Sequence, residues 1–274
     1  MDRWLVTGCS SGLGKALAAA VAEAGGQVVA TARKTAALDE LVRRWPGRIR
    51  PVALDVRDAE QCAEAVRTAA ELLGGIDVLV NNAGNGVFGA VEEVSDAELR
   101  DQLETLVVGP WRLARLVLPL MRAQRGGHIV NVSSLAGRMS FPGLAAYVTG
   151  KYALEGMSQA LAAEAAPQGV KVTVMEPAGY ATRYGTALAE SAVRLPAYAG
   201  LLDEALGAFR TMESMPGLGR AEDFAASVLH VVRAEGPTPL RVPVGPGAYD
   251  YLAAAEQAAR EELATARTLT EPGS

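Results

Sequence analysis

The chain contains 274 residues, of which 50% are apolar, and its formal net charge is −5. A chain of this length can bury a sizeable core, and its interspersed charges leave no basic face of the kind that binds nucleic acid. Charge or glycine interrupts the apolar stretches well short of the ~18 residues of a membrane span, and the two cysteines, Cys9 and Cys62, indicate neither a disulfide framework nor a metal site. The N-terminal residues, MDRWLVTG, enter a strand pattern directly, so we expect no targeting peptide and a cytoplasmic protein.

A glycine-rich turn follows the first predicted strand. The apolar run Trp4–Thr7 leads into Gly8, Gly12 and Gly14, and apolar residues at helical spacing come next. Between a strand and a helix, such a turn lets the backbone and the first helical N–H groups approach a pyrophosphate. The spacing is G-x-x-x-G-x-G rather than G-x-G-x-x-G, and in this setting it favours nucleotide binding over an ordinary turn.

The second predicted strand, Gln27–Ala32, indicates which nucleotide is bound. Dinucleotide folds that bind NAD commonly carry an acid near the end of this strand, where it binds the ribose 2′-hydroxyl. In this chain Ala32 is followed by Arg33 and Lys34. A guanidinium suits a 2′-phosphate, so Arg33 favours NADP(H); the alternative is a solvated basic start to a helix.

The alternation of strands and helices continues along the chain. Further strands are predicted at Arg50–Ala53, Ile76–Val80, His128–Val132, Val170–Met175 and Leu240–Val244. Helices are predicted at Leu38–Arg44, from Asp55–Asp58 to about Leu73, at Asp96–Gln124 after a cap at Ser95 or Asp96, from Tyr147 to near Pro167, at Glu222–Arg233 and at Tyr249–Arg267. Because the strands are too continuously apolar for a half-solvated sheet, we predict an α/β fold. It is a single-domain Rossmann fold, a doubly wound parallel sheet of about seven strands with helices on both faces.

The single predicted domain, residues 1–274, has three parts. The cofactor half covers about 1–135, the catalytic and substrate-loop half about 136–245, and a helical extension about 246–274. The segment Ala178–Gly219 breaks the regular pattern beyond the carboxyl end of a strand, which is where open α/β sheets place ligands. It has a weak helical pattern at Ala199–Phe209. Phe209, Met212 and Met215 could line an apolar pocket there or be ordinary packing.

Ser134, Tyr147 and Lys151 are the candidate catalytic residues. Tyr147 and Lys151 lie four residues apart at the start of a helical pattern, which places both side chains on one face. A free tyrosine has a pKa of about 10, and a nearby ammonium favours the phenolate, so Lys151 could make Tyr147 an acid or base near neutral pH. Ser134 could hydrogen-bond the oxygen of a reacting carbonyl. Tyr-x-x-x-Lys alone also fits a solvated helix face, and we expect His128 and His230 to be structural.

Five motifs occur together in one order: Thr7-Gly-x-x-x-Gly-x-Gly14, Asn81-Asn-Ala-Gly84, Ser134, Tyr147-x-x-x-Lys151 and Pro177-x-x-x-x-Thr182. In this order and spacing, the chain from near residue 3 to about 245 resembles the short-chain dehydrogenases/reductases. The segment RLARLVLPLMRAQRGGHIVNVSSLAGR and the extended tail resemble the branch with 17β-hydroxysteroid and retinol dehydrogenase-like members.

The resemblance implies an NADP(H)-dependent oxidoreductase that moves hydride between nicotinamide and a ketone or secondary alcohol of a mostly apolar small molecule. It implies that Tyr147 exchanges the proton, that Lys151 lowers the pKa of Tyr147 and holds the nicotinamide ribose, and that Ser134 orients the carbonyl. The cofactor-binding residues it implies are Thr7, Gly8, Ser10, Gly12, Leu13, Gly14, Arg33, Asp55, Val56, Asn82, Ala83, Gly84, Tyr147, Lys151, Pro177 and Thr182. No metal is implied. Family members usually pair through their two long helices, so we expect a homodimer or homotetramer and neither a nucleic-acid nor a membrane partner.

The chain departs from the family pattern at Leu106, Gly150 and Ala178. Leu106 stands where many members carry an Asn that shapes its helix around a relay water, and leucine cannot hydrogen-bond. Gly150 stands where Ser is usual, and it is expected to loosen the start of the helix. Two alternatives follow. One is a specialised biosynthetic enzyme of this fold with attenuated or non-redox chemistry, and the other is a nucleotide-binding sensor without turnover.

Overall fold

Nine short or medium strands occur in the computed structural model, which describes residues 3–182 and 184–271. They are β1 (Arg3–Val6), β2 (Gln27–Ala32), β3 (Ile49–Ala53), β4 (Val78–Asn81), β5 (Val87–Phe88), β6 (Gly127–Val132), β7 (Val170–Pro177), β8 (Ala189–Glu190) and β9 (Arg241–Val244). Seven of these form one sheet in the order β3-β2-β1-β4-β6-β7-β9, and every pairing in it is parallel. The predicted doubly wound parallel sheet is therefore confirmed.

The helices connect these strands. They are α1 (Gly12–Glu23), α2 (Asp39–Arg44), α3 (Ala59–Leu73), α4 (Asp96–Leu103), α5 (Gly109–Ala123), α6 (Ala145–Ala165), α7 (Pro196–Thr211), α8 (Ala221–Arg233) and α9 (Ala248–Thr270). A π-helical turn, Glu104–Val108, joins α4 to α5, so the single helix predicted at Asp96–Gln124 is interrupted at Leu106. Its start agrees with the prediction, because Ser95 caps α4 in a capping box with Glu98.

Apolar residues fill both faces of the sheet because successive strand residues point to opposite sides. In β1, Trp4 and Val6 pack with α1 and α8 in one core, whereas Leu5 packs with α3, α5 and α6 in the other. Both cores are built largely from side chains that are fully buried. The two cores pack on opposite faces of the sheet, and this packing fixes the position of the loops that follow the carboxyl ends of its strands.

Two features lie outside the seven-stranded sheet and its two cores. β5 and β8 form a separate two-stranded parallel sheet that was not predicted, because two residues carry no readable strand pattern. The first turn of α9 is buried through Ala248 and Leu252, whereas most of the rest of this helix is exposed. Within residues 3–182 and 184–271, no helix is long and apolar enough to cross a membrane.

Candidate active site

The carboxyl ends of the parallel strands open into one elongated cleft of about 1050 Å³. Of the predicted site residues, the following line it: Gly8, Ser10, Gly12, Leu13, Arg33, Asp55, Val56, Asn82, Ala83, Gly84, Ser134, Tyr147, Lys151, Pro177 and Thr182. The loops after several different strands supply them, as expected for ligand sites in open α/β sheets. The structure thus brings the glycine-rich turn and the candidate catalytic residues into the same cleft.

Close backbone packing explains the glycines of the first turn. Gly8 has a φ of +72°, and a Cβ added there would lie 2.8 Å from the Cα of Ala83. At Gly14 an added Cβ would lie 2.4 Å from both the carbonyl oxygen of Gly8 and Nδ2 of Asn82. A side chain at either position would push the turn away from the loop after β4. The turn therefore leaves its backbone exposed to the cleft, as a pyrophosphate requires.

Thr7 and Asn82 brace this turn from behind. Thr7 Oγ1 accepts hydrogen bonds from the N–H groups of Asn82 and Ala83, each 3.0 Å long. Asn82 Nδ2 in turn donates to the carbonyl oxygens of Thr7 at 2.9 Å and Gly8 at 3.2 Å. Thr7 is 1% exposed, and neither Thr7 nor Gly14 is among the cleft-lining residues. Both residues hold the turn in place from outside the cleft.

Arg33 and Asp55 lie at the end of the cleft away from the catalytic residues. Asp55 is bound by Arg57 at 2.6 Å, and this hydrogen bond, together with the more distant charge of Arg33, lowers the pKa of the Asp55 carboxyl. Arg33 is exposed, and within the described ranges it forms no salt bridge of 4.0 Å or less. A guanidinium that lines the cleft without an ion-pair partner fits an anionic ligand group such as a 2′-phosphate.

The catalytic candidates converge at the other end of the cleft. Ser134 caps a short turn, Leu135–Gly137, by accepting from the N–H of Ala136 at 3.1 Å, which leaves its own hydroxyl proton to donate. Tyr147 and Lys151 share one face of α6, with Lys151 Nζ 5.5 Å from the centre of the Tyr147 ring. Lys151 Nζ also donates to the carbonyl oxygen of Val132 at 2.7 Å, which ties α6 to the end of β6.

Burial shifts the pKa values of both members of this pair. It raises the pKa of Tyr147, and the neighbouring hydroxyls of Ser134 and Tyr184 act in the opposite direction. Burial lowers the pKa of Lys151 to about 8, against the attraction of Glu155 one turn further along α6. An amine that titrates near neutral pH and a buried phenol on one helix face form an arrangement suited to acid–base chemistry.

Leu106 and Gly150 pack against each other next to this site. Leu106 is 1% exposed and lies at the centre of the π turn, in an apolar cluster with Phe88, Leu144 and Tyr147. A Cβ added to Gly150 would lie 2.8 Å from Leu106 Cδ1. The irregular turn therefore forms with a leucine at its centre. Gly150 is buried inside α6, which begins at Ala145, so it accommodates Leu106 instead of loosening the helix start.

Apolar side chains form a wall of the cleft beside the catalytic residues. The cleft-lining members from the irregular segment after β7 and from the region before α6 include Phe141, Leu144, Tyr184, Phe209, Met212 and Met215. Of the two alternatives, lining a pocket or ordinary packing, the structure supports the first for Phe209, Met212 and Met215. Tyr184 was not predicted. The available signal was an aromatic residue two positions after Thr182 in a segment with little other pattern.

The two histidines lie outside the site. His128 is fully buried in β6, where Nε2 and the Thr173 hydroxyl are 2.9 Å apart, and burial lowers its pKa to about 4. His230 is an exposed residue of α8. Among the residues that the structure describes, no group of three or more His, Cys, Asp or Glu side chains is arranged to hold a metal ion.

A family comparison decides the classification. The short chain dehydrogenase family profile matches residues 3–192, which is more than half of the chain. The chain belongs to the short-chain dehydrogenase/reductase family. A relative from Botryotinia fuckeliana, the oxidoreductase BOA17, is 40% identical over 253 residues, which cover 90% of each chain. The assignment to a 17β-hydroxysteroid/retinol branch stays a prediction.

Solved structures of the family agree with the fold. A short-chain dehydrogenase from Streptomyces avermitilis has a TM-score of 0.90 and 40% identity, over 100% of this chain and 98% of that one. A metagenomic short-chain oxidoreductase in complex with NADP has a TM-score of 0.71 and 27% identity, over 89% and 96% of the two chains. A family member from Burkholderia phymatum in complex with NAD has a TM-score of 0.82 and 25% identity, over 100% and 98%.

Proposed function

We propose that this family member is an NADP(H)-dependent oxidoreductase that interconverts a ketone and a secondary alcohol of a mostly apolar small molecule. The observation that carries the proposal is the single cleft that contains both the glycine-rich turn and the trio Ser134, Tyr147 and Lys151. The apolar wall supports an apolar substrate. Relatives named as oxidoreductases support the reaction class.

The residues of the cleft fit a nicotinamide dinucleotide. The glycine turn exposes its backbone to the cleft, and Thr182 and Lys151 line the same cleft. A bound nicotinamide would supply or accept the hydride. We expect Gly8 and Gly12 to hold the pyrophosphate, Asp55 and Val56 the adenine, and Lys151 the nicotinamide ribose. Related structures contain either NADP or NAD. In this chain Arg33 favours NADP(H), because a guanidinium suits a 2′-phosphate.

Side chains of the protein carry out the proton transfer. In the reductive direction Tyr147 Oη gives its proton to the substrate carbonyl oxygen, and in the oxidative direction the phenolate removes the proton of the alcohol. Ser134 donates its hydroxyl proton to the same substrate oxygen, while the hydroxyl oxygen accepts from the Ala136 N–H. Lys151 places a cation near the Tyr147 ring, which favours the phenolate.

Replacing one hydroxyl tests the reaction. We expect the wild type to oxidise one NADPH per product on a panel of apolar ketones and diketones, and Tyr147→Phe to lose at least a hundredfold in kcat, since general acid–base catalysis contributes about 10²–10⁴-fold. Unchanged turnover in Tyr147→Phe would exclude the mechanism. Product formed without NADPH loss would instead favour non-redox chemistry, and bound NADPH without any turnover would favour a sensor.

We also propose that the chain forms a homodimer or homotetramer through α5 and α6. Trp111 on α5 is 57% exposed and Tyr152 on α6 is 47% exposed, so both helices present an aromatic side chain to solvent. Aromatic residues are enriched in protein interfaces. Analytical ultracentrifugation of the wild type and of Trp111→Glu should show an assembly that the substitution weakens. A wild type that is monomeric at micromolar concentration would contradict this proposal.

A further inference from the structure

Tyr184 lies directly beside the candidate acid–base residue. The ring centres of Tyr147 and Tyr184 are 5.4 Å apart, and their planes are tilted by 54°. Tyr184 belongs to the irregular segment after β7, whereas Tyr147 belongs to α6. The Tyr184 hydroxyl is buried, and within the described part of the chain no group forms a hydrogen bond of normal length and angle with it. Buried hydroxyls are normally bonded, so a partner is expected for this one.

Packing directs the hydroxyl inward. A Cβ added to Gly86 would lie 2.8 Å from Tyr184 Oη and 2.7 Å from Leu188 Cδ2. Gly86 therefore leaves the space into which the phenol extends. Tyr184 is also packed against the apolar cluster that contains Phe88, Leu188 and Tyr147. The hydroxyl is thus held within the site and away from bulk water.

The two phenols influence each other in opposite directions. Burial raises the pKa of both, but the Tyr184 hydroxyl acts to lower the pKa of Tyr147, whereas Tyr147 raises the pKa of Tyr184 further. Tyr147 is therefore the phenol that ionises first, and Tyr184 keeps its proton. A proton held next to a new phenolate is a hydrogen-bond donor to it.

Other groups that face Tyr147 act alongside Tyr184. Ser134 approaches from the end of β6 and also lowers the pKa of Tyr147. Lys151 contributes its cation from α6, and Glu155 acts on Lys151. The π turn presents the uncharged side chain of Leu106, and β5 presents Phe88. Neither Leu106 nor Phe88 carries a side-chain donor.

We propose that Tyr184 is a positioning residue that donates a hydrogen bond to Tyr147 Oη when Tyr147 is deprotonated. Tyr184 keeps its own proton throughout and stabilises the Tyr147 phenolate. Alcohol oxidation therefore reaches its maximum rate at a lower pH than it would without the Tyr184 hydroxyl. This proposal rests on the proposed function, in which Tyr147 is the acid and base.

Titration of Tyr147 by NMR tests it without turnover. Protein labelled with ¹³Cζ-tyrosine is titrated with pH, and the Tyr147 resonance is assigned by its loss in Tyr147→Phe. Because hydrogen bonds to charged groups are stronger than neutral ones, we expect Tyr184→Phe to raise the pKa of Tyr147 by about one pKa unit. Tyr198→Phe is the matched control: its hydroxyl bonds Glu92 at 2.7 Å, so the pKa of Tyr147 should not change.

Gly86→Ala provides a second variant that keeps the tyrosine and displaces its hydroxyl. It should raise the pKa of Tyr147 in the same direction, and it serves as the test if Tyr184→Phe does not fold. An unchanged pKa of Tyr147 in the folded variants would overturn the proposal. In steady-state assays, a Tyr184→Phe variant that changes KM but not kcat would also overturn it, because Tyr184 would then contact the substrate instead of Tyr147. Absence of wild-type turnover would count against the proposed function alone, since the NMR readout does not depend on it.

Discussion

The side chain of Leu106 occupies the space that any side chain at Gly150 would need. An added Cβ at Gly150 would lie 2.8 Å from Leu106 Cδ1 and 3.1 Å from Leu106 Cβ. Leu106 comes from the π turn between α4 and α5, and Gly150 comes from α6. The two departures from the family pattern are therefore one packing arrangement, in which a larger apolar residue on one helix is matched by a glycine on the other.

Gly150→Ser should destabilise the protein through this contact. Overpacking of a core costs about 1–3 kcal/mol, and α6 and the π turn would have to separate to relieve it. Leu106→Asn alone should cost about 2–4 kcal/mol, because it leaves a cavity and a buried amide. The double variant should be more stable than the sum of the single changes predicts, by at least about 1 kcal/mol. Urea denaturation of the four proteins measures this coupling.

Gly156→Ala is the matched control for that experiment. Gly156 lies in the same helix, and within the described residues nothing comes within 4 Å of a Cβ added there. Replacing an exposed helical glycine by alanine should raise the free energy of unfolding by about 0.5–1 kcal/mol. Additivity of Gly150→Ser and Leu106→Asn within about 0.5 kcal/mol would show that the two sites are independent.

The parallel sheet was predictable because its signal is local. Apolar runs, turn glycines and caps such as Ser95 each act within a few residues, and their order along the chain implies the layers. Motif residues such as Ser134 and Lys151 were predictable for the same reason. Contacts between distant segments were not. In the sequence, Leu106 and Gly150 are two separate departures from the family pattern, and no motif links Tyr184 to Tyr147. Only folding brings α6, the π turn and the segment after β7 together.

Thr7→Val should weaken both the fold and nucleotide binding. Thr7 Oγ1 accepts from the N–H groups of Asn82 and Ala83, and valine keeps the shape of the side chain but leaves both donors unpaired. Each buried unpaired donor costs about 1–3 kcal/mol, so we expect a loss of at least about 2 kcal/mol of stability. The loosened turn should also raise the Kd for NADPH. Thr7→Ser, which retains the acceptor, should restore most of both, and equal behaviour of the two variants would contradict this role.

Arg33→Asp should change cofactor preference. The substitution replaces a cation that lines the cleft with an acid, which repels a 2′-phosphate and suits a ribose 2′-hydroxyl. We expect the ratio of the Kd for NADPH to that for NADH to rise by at least about tenfold, which corresponds to 1.4 kcal/mol. Fluorescence titration with each nucleotide measures the ratio. Arg43→Asp on α2 makes the same charge change at an exposed position that does not line the cleft, and it should leave the ratio near the wild-type value.

His128 should make the protein less stable in mild acid. Burial lowers the pKa of His128 to about 4 in the folded protein, below its value of about 6.5 in an unfolded chain. Between these two values the unfolded state takes up a proton that the folded state does not, so stability is full above pH ~6.5 and falls as the pH drops. The loss from this residue should reach about 2.5 kcal/mol at pH ~4.5. His128→Gln removes the titrating group, while its amide can still hydrogen-bond Thr173. Denaturant unfolding at neutral pH and in acid should therefore show a smaller loss in the free energy of unfolding for the variant than for the wild type. Equal losses would mean that carboxylates alone determine the acid sensitivity.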